Sequence, residues 1–163
     1  PEKGSVKVNG SLVPFIELGV GFNPELTGRE NIYLNGALLG HKKAFMDRHF
    51  NEIIEFAELG DFIDVPIKNF SSGMAARLGV AVATIVKPDI LIVDEVLAVG
   101  DIAFQEKCRK RMESLLKDGT TLLFVSHSSK QVKELCQNAI WLDKGHVVAQ
   151  GRAEDIIQEY ESK

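Results

Sequence analysis

Long hydrophobic runs are missing from this sequence. The longest apolar stretch, residues 81–86 with Thr84 counted in, is far short of the roughly 20 residues of a membrane-spanning helix. Cysteine is scarce as well. Cys108 and Cys136 stand alone, without the paired spacing of a zinc site or a disulfide framework, which fits a reducing, cytoplasmic setting. Positive charge is in deficit: 19 Lys and Arg face 23 Asp and Glu, for a net charge of −4. Nucleic acid, whose nonspecific grip needs a basic surface, is therefore not an expected partner. The start has neither an apolar leader nor an initiator Met, so Pro-Glu-Lys-Gly-Ser reads as the beginning of a processed chain or of a piece of a longer one. What is present, 45% hydrophobic and 26% charged residues over 163 positions, is the composition of one globular domain.

Residues 5–18 read as extended. Val6 and Val8 alternate with polar residues, Asn9-Gly10 marks a turn, and residues 12–16 form a second strand with Pro14 near an edge, so a hairpin-like pair is expected. Gly19, Gly21, Asn23 and Pro24 make a loop. Thr27 with Glu30 three residues on is a capping box for a helix that Gly40 stops. A second helix over 43–59 carries Phe45, Met46, Phe50, Ile53, Ile54 and Ala57 at helical spacing, with Gly60 closing it. Ser71 or Ser72 caps a third helix over 74–86, and Pro88 ends it. Residues 90–93 and 121–125 read as strands buried on both faces, separated by a helix over 101–117. A helix over 129–136, strands over 139–142 and 146–149, and a helix over 153–160 complete the chain. No internal repeat interrupts the pattern. The alternation of strand and helix in the second half predicts parallel crossovers, hence an α/β sheet with ligand chemistry at the carboxyl ends of its strands. Residues 27–70 predict a helical insertion beside that sheet.

Asp94-Glu95 stands where the strand over 90–93 runs out, a place where carboxylates hold magnesium and phosphate, although acids there also serve as solvated boundaries. His127 ends the next strand and aims an imidazole at the same edge; its alternative is a capping or core histidine. Ser71-Ser72-Gly73 opens a helix whose first-turn amides form an anion site, or simply a cap.

Taken in order, Phe70-Ser71-Ser72-Gly73-Met74-Ala75-Ala76-Arg77, then residues 90–101 reading Ile-Leu-Ile-Val-Asp-Glu-Val-Leu-Ala-Val-Gly-Asp, then Phe124-Val125-Ser126-His127 resemble the ATP-binding-cassette (ABC) ATPases. They match that family's signature motif, Walker B strand with catalytic glutamate, D-loop and switch histidine. The spelling Ser-Ser-Gly-Met, Phe104-Gln105 with Lys107 after Asp101, and Glu17-Leu18-Gly19 before Pro24-Glu25-Leu26-Thr27-Gly28-Arg29-Glu30-Asn31 are similar to the ATPase subunits of O-antigen, capsule and teichoic acid exporters.

The resemblance implies an α/β fold of the P-loop NTPase class, an ABC-type nucleotide-binding domain with a helical subdomain. Residues 1–26 would supply strands and the Q-loop region, 27–88 the helical subdomain with the signature motif, and 89–163 the core part with Walker B, D-loop and switch histidine. It implies ATP and Mg2+ as cofactors. Asp94 would order the metal through water, Glu95 would polarise the attacking water, and His127 would contact the γ-phosphate. Ser71, Ser72, Gly73 and Met74 would clamp ATP held by the opposite subunit of a homodimer, and Asp101 would link the two sites. Glu17 stands where most of the superfamily has a metal-contacting glutamine. The implied partner is an integral membrane subunit that handles the glycan, docked on the helical segment at the cytoplasmic face of the inner membrane; Phe22, Leu26 and Phe56 are candidate contacts, with a place in the core the favoured reading of each. The glycine-rich phosphate loop Gly-x-x-x-x-Gly-Lys-Ser/Thr does not occur in these residues. The expectation is therefore the carboxyl-terminal part of such a domain, lacking a central strand and inactive alone. Two other readings stay open: a noncatalytic cassette acting as an interaction module, and a phospho-acceptor signalling domain with Asp94 as acceptor.

Overall fold

The computed structural model describes residues 2–15, 21–85, 87–94 and 100–162. Its centre is a parallel sheet of β1 (Leu12–Phe15), β2 (Ile90–Asp94) and β3 (Thr121–Val125), in that spatial order. Leu12 pairs with Ile90, Ile90 with Thr121, and Asp94 with Val125. Because all three strands run the same way, their carboxyl ends share one edge. The chain returns from β1 to β2 through α1 (Gly28–Leu38), α2 (Lys43–Ala57) and α3 (Ser72–Thr84), and from β2 to β3 through α4 (Ile102–Lys117). Beyond β3 come α5 (Ser129–Leu135), an antiparallel pair of β4 (Asn138–Asp143) and β5 (His146–Arg152), and α6 (Ala153–Glu161).

The insertion between β1 and β2 is helical, as the spacing predicts. Thr27 and Glu30 form both arms of the capping box: the Glu30 amide donates to Thr27 Oγ1 at 3.2 Å, and the Thr27 amide donates to the Glu30 carboxylate at 2.8 Å. α2 stops earlier than Gly60. Glu58 takes the left-handed conformation at φ 59°, and its carboxylate is held there by Arg77 at 2.9 Å and Lys107 at 3.0 Å. Tertiary ion pairs thus support a conformation usually left to glycine. α4 buries Phe104, Cys108, Met112 and Leu115, one stripe at helical spacing. These side chains join Ile32, Met46, Ile53, Leu78, Leu91 and Val93 in one core that runs from the insertion to the sheet. In the last part, Lys144 and Gly145, both with positive φ, make the tight turn between β4 and β5. Trp141 is buried there, edge-on to Tyr160 of α6 at 5.4 Å.

Two expectations fail. The hairpin over 5–18 does not form: Val6 and Val8 lie outside any strand and are 77% and 45% exposed. Asn9-Gly10 makes a close approach instead of a hairpin turn. Gly10, at φ +114°, would set a Cβ 2.7 Å from the Asp89 side chain. The next residue, Ser11, gives its amide and hydroxyl to the Asp89 carboxylate at 2.7 and 2.8 Å. That clasp commits β1 to parallel pairing with β2. Second, β3 is not covered on both faces. Leu122 and Phe124 turn to the core while Leu123 and Val125 are 53% and 60% exposed, because among the described residues helices lie against one side of this strand only. β2 alternates more gently, Leu91 and Val93 buried between half-buried neighbours. Phe56 takes the place in the core that is favoured for it over docking. It is buried edge-on against Phe104 at 5.6 Å, with Lys107 and Arg111 over its ring.

Candidate functional site at the carboxyl edge of the sheet

Asp94 is the last residue of β2, half-buried, in register with Val125 at the end of β3. His127 follows Val125 by two residues and is exposed. The carboxyl ends of β2 and β3 lie side by side, about 4.8 Å apart, so Asp94 and the turn that carries His127 stand at one edge of the sheet. Ser126 and Ser128 shape the turn: the Ser128 amide donates to Ser126 Oγ at 3.0 Å, and Ser128 caps α5 through the Gln131 amide at 3.4 Å. This fixes the bend that carries His127 off the end of the strand. Glu95 and Glu17, and the residues 96–99 that lead to Gly100, lie outside the described residues.

Asp101 opens α4. One carboxylate oxygen accepts from the Phe104 amide at 2.9 Å and the other from Arg77 at 2.7 Å. The Phe104 amide, with the Arg77 guanidinium beside it, holds the Asp101 carboxyl below the usual carboxylate range. Arg77 itself sits between Asp101 and Glu58 and lies over the Phe104 ring, 4.9 Å from its centroid. One guanidinium thereby ties α3 to the end of α2 and to the start of α4, a use of its planar fork that a lysine does not reproduce. Sequence reasoning gave Arg77 no role. Its partners are 19 and 24 residues away, and no local pattern pairs them.

Ser71 caps α3, its Oγ accepting from the Met74 amide at 3.1 Å. Ser71 and Ser72 are exposed, Gly73 and Met74 half-buried. The glycine is informative. Its φ is not in the left-handed region, and a Cβ at Gly73 would meet nothing closer than Ser71 Oγ at 3.8 Å. Among the described residues, neither backbone strain nor packing calls for glycine here. Its effect is to leave the first-turn amides of α3 open to an approaching group.

Asp94 offers carboxylate oxygens, the donor type that hard cations take. Among the described residues no three His, Cys, Asp or Glu side chains gather around a metal-sized space. A cation at Asp94 would be shared with phosphate oxygens and water, which is how Mg2+ is usually held.

The arrangement has close counterparts. The ABC transporter family model matches residues 3–98. The O-antigen export system ATP-binding protein RfbB of Klebsiella pneumoniae is 52% identical over 160 residues, covering 98% of this chain and 65% of its own length. The teichoic acids export ATP-binding protein TagH of Listeria innocua is 44% identical over 161 residues, covering 99% of this chain and 48% of its own. The chain thus spans less than two thirds of each. Among solved structures, an ATP-binding subunit of an ABC transporter superposes with a TM-score of 0.80 at 22% identity, over 93% of this chain and 62% of that one. The ATP-binding cassette MJ0796, dimeric and bound to ADP and Pi, gives 0.70 at 21% identity, over 88% and 63%. The fold is thus that of a P-loop ABC nucleotide-binding domain, of which this chain is part. With the family match running over more than half of its residues, and the acid-ended strand and serine-capped helix in their expected order, the chain belongs to the ABC transporter family.

Proposed function

We propose that the protein of which this chain is part is the ATP-hydrolysing subunit of a transporter that exports polysaccharide or polyol-phosphate chains. The names of the relatives, O-antigen and teichoic acid export ATP-binding proteins, support the substrate class. The observation that carries the chemistry is the shared rim: Asp94 ends β2 beside the turn that carries His127 off β3.

In this reading Asp94, with Glu17 as a further oxygen donor, orders Mg2+ through water, and the ion supplies charge neutralisation on the phosphates. Glu95 accepts the proton of the attacking water and orients it in line with the γ-phosphoryl group. His127 donates a hydrogen bond to the γ-phosphate and so distinguishes triphosphate from diphosphate. The Ser71 hydroxyl and the open amides around Ser72, Gly73 and Met74 contact the same phosphate from a second copy of the chain, which makes the active species a homodimer with ATP sandwiched between protomers. Asp101 lies on the route between the two sites. Phosphoryl transfer asks a protein mainly for positioning and charge stabilisation, and these residues supply both.

No helix among the described residues is long and apolar enough to cross a membrane. In this reading the transport path belongs to a separate integral membrane subunit, which handles the glycan, with this protein bound peripherally at the cytoplasmic face of the inner membrane. The test is steady-state ATPase of the full-length protein. Glu95→Gln should retain ATP and lose turnover, and His127→Ala should lose most of it; turnover unchanged in Glu95→Gln would defeat the assignment.

A further inference from the structure

We infer that Asn31 is a positioning residue for the Ser71 tip, holding it where a second protomer's nucleotide can use it; the inference rests on the ATP-sandwich reading above. Asn31 lies in α1 and is 0% exposed. A buried carboxamide is tolerated only when its hydrogen bonds are made, and the side-chain bonds of Asn31 run to a single loop.

Its Nδ2 shares two hydrogens among the carbonyls of Asn23 at 3.0 Å, Leu26 at 3.1 Å and Thr27 at 2.9 Å, and its Oδ1 accepts the Asn23 amide at 2.7 Å. Its backbone amide donates to the Thr27 carbonyl at 3.0 Å, and its backbone carbonyl accepts from the Asn35 side chain. The opposite orientation of the carboxamide would turn an oxygen toward three carbonyl oxygens, so the chemistry settles which end is which. Among the described residues, none of the hydrogen bonds of the Asn31 side chain goes to a group assigned to ATP or metal.

What it holds leads to the site. The Leu26 carbonyl that receives Asn31 also receives the Ile67 amide at 3.0 Å. From that shared acceptor two segments are clasped together. The Lys68 amide donates to Pro24 at 3.0 Å, the Gly28 amide to Val65 at 3.2 Å and the Arg29 amide to Ile63 at 2.8 Å. Ion pairs close both margins, Lys68 with Glu25 at 2.7 Å and Arg29 with Asp64 at 2.6 Å. The close approach depends on Gly28, where a Cβ would stand 3.0 Å from the Ile63 carbonyl oxygen and 3.1 Å from the tip of the Phe70 ring. Phe70 is the residue before Ser71. Asn69 and Phe70 are bonded back to Pro66 and Ile67 at 2.9 and 2.8 Å, so little slack separates the clasp from the serine cap. Asn31 therefore ties, through carbonyls, the loop before α1 to the tip that a sister protomer would meet.

The experiment compares two readouts in the full-length protein carrying Glu95→Gln: affinity of the dilute monomer for a fluorescent ATP analogue with Mg2+, and ATP-dependent dimerisation followed by sedimentation. Asn31→Asp replaces the donor with an acceptor, and Gly28→Ala wedges the clasp open from the other side. Each should leave monomer affinity within about twofold and weaken dimerisation by about tenfold or more, the scale of one broken buried hydrogen-bond network. Dimerisation unchanged in both variants overturns the inference. So does a parallel loss of affinity, dimerisation and melting temperature, which would mark a purely structural residue. If the Glu95→Gln parent itself forms no dimer with ATP, the sandwich reading fails first and takes this inference with it.

Discussion

Ser71 stands where two roles can be separated by magnitude. As a helix cap, its hydroxyl satisfies one amide, that of Met74, at 3.1 Å. Replacing such a cap with alanine costs about 1 kcal/mol, and with glycine only a few tenths. For a domain of this size about 1 kcal/mol corresponds to a melting shift of roughly 2–4 °C. As a phosphate contact, the same hydroxyl would be worth about 1.5–3 kcal/mol, the range for a hydrogen bond to a charged group. That is roughly 10- to 150-fold in rate. The two substitutions therefore diverge. Ser71→Ala should lower both the melting temperature and ATP turnover of the full-length protein, whereas Ser71→Gly should lower turnover to a similar degree with the melting temperature almost unmoved. Differential scanning fluorimetry and a coupled ATPase assay on the same samples give both numbers. Turnover that tracks the melting temperature across the pair, falling only with alanine, would reduce Ser71 to a cap and refute the reasoning that also reads Gly73 as an opening for a ligand.

Phe104, 1% exposed between Phe56 and Arg77, should cost about 3–5 kcal/mol when truncated to alanine; a urea unfolding series showing less than about 1 kcal/mol would contradict its place at the junction of α2, α3 and α4. The Cys108 thiol is pushed up to about 11 by burial, so in the native protein Cys136, which is half-buried, should alkylate first at pH 8, and rapid labelling of Cys108 would argue against the α4 packing. Asp64 beside Arg29, Glu52 beside Arg111 and Asp101 beneath the Phe104 amide are all held below their usual range. Groups depressed in this way contribute stability that is present above their unfolded value near about 4 and is lost as pH falls through the folded one. The melting temperature should accordingly hold between neutrality and about pH 5 and decline below it, with Asp101→Asn showing a shallower decline than the parent; an identical acid limb in that variant would remove Asp101 from the account.

Several features were legible in the residues alone because their causes are local. The Thr27-Glu30 box and the serine cap of α3 each involve groups within a few positions of one another, and the β-branched run of β2 needs only its own composition to mark a strand. The order of motifs was legible for the same reason. Pairing was not. Whether residues 12–15 turn back on Val6 and Val8 or run beside β2 depends on Ser11 and Gly10 meeting Asp89, 78 positions from Ser11, and alternation looks the same in both cases. Coverage was not legible either, since an apolar run in β3 does not say how many of its faces a helix will reach. The ties that orient the site, Arg77 between Glu58 and Asp101 and Asn31 on the loop before α1, are chosen by three-dimensional proximity. A sequence determines which groups can donate and accept; only the folded chain decides which of them come within 3 Å of each other, because that distance is set by the packing of all the elements together.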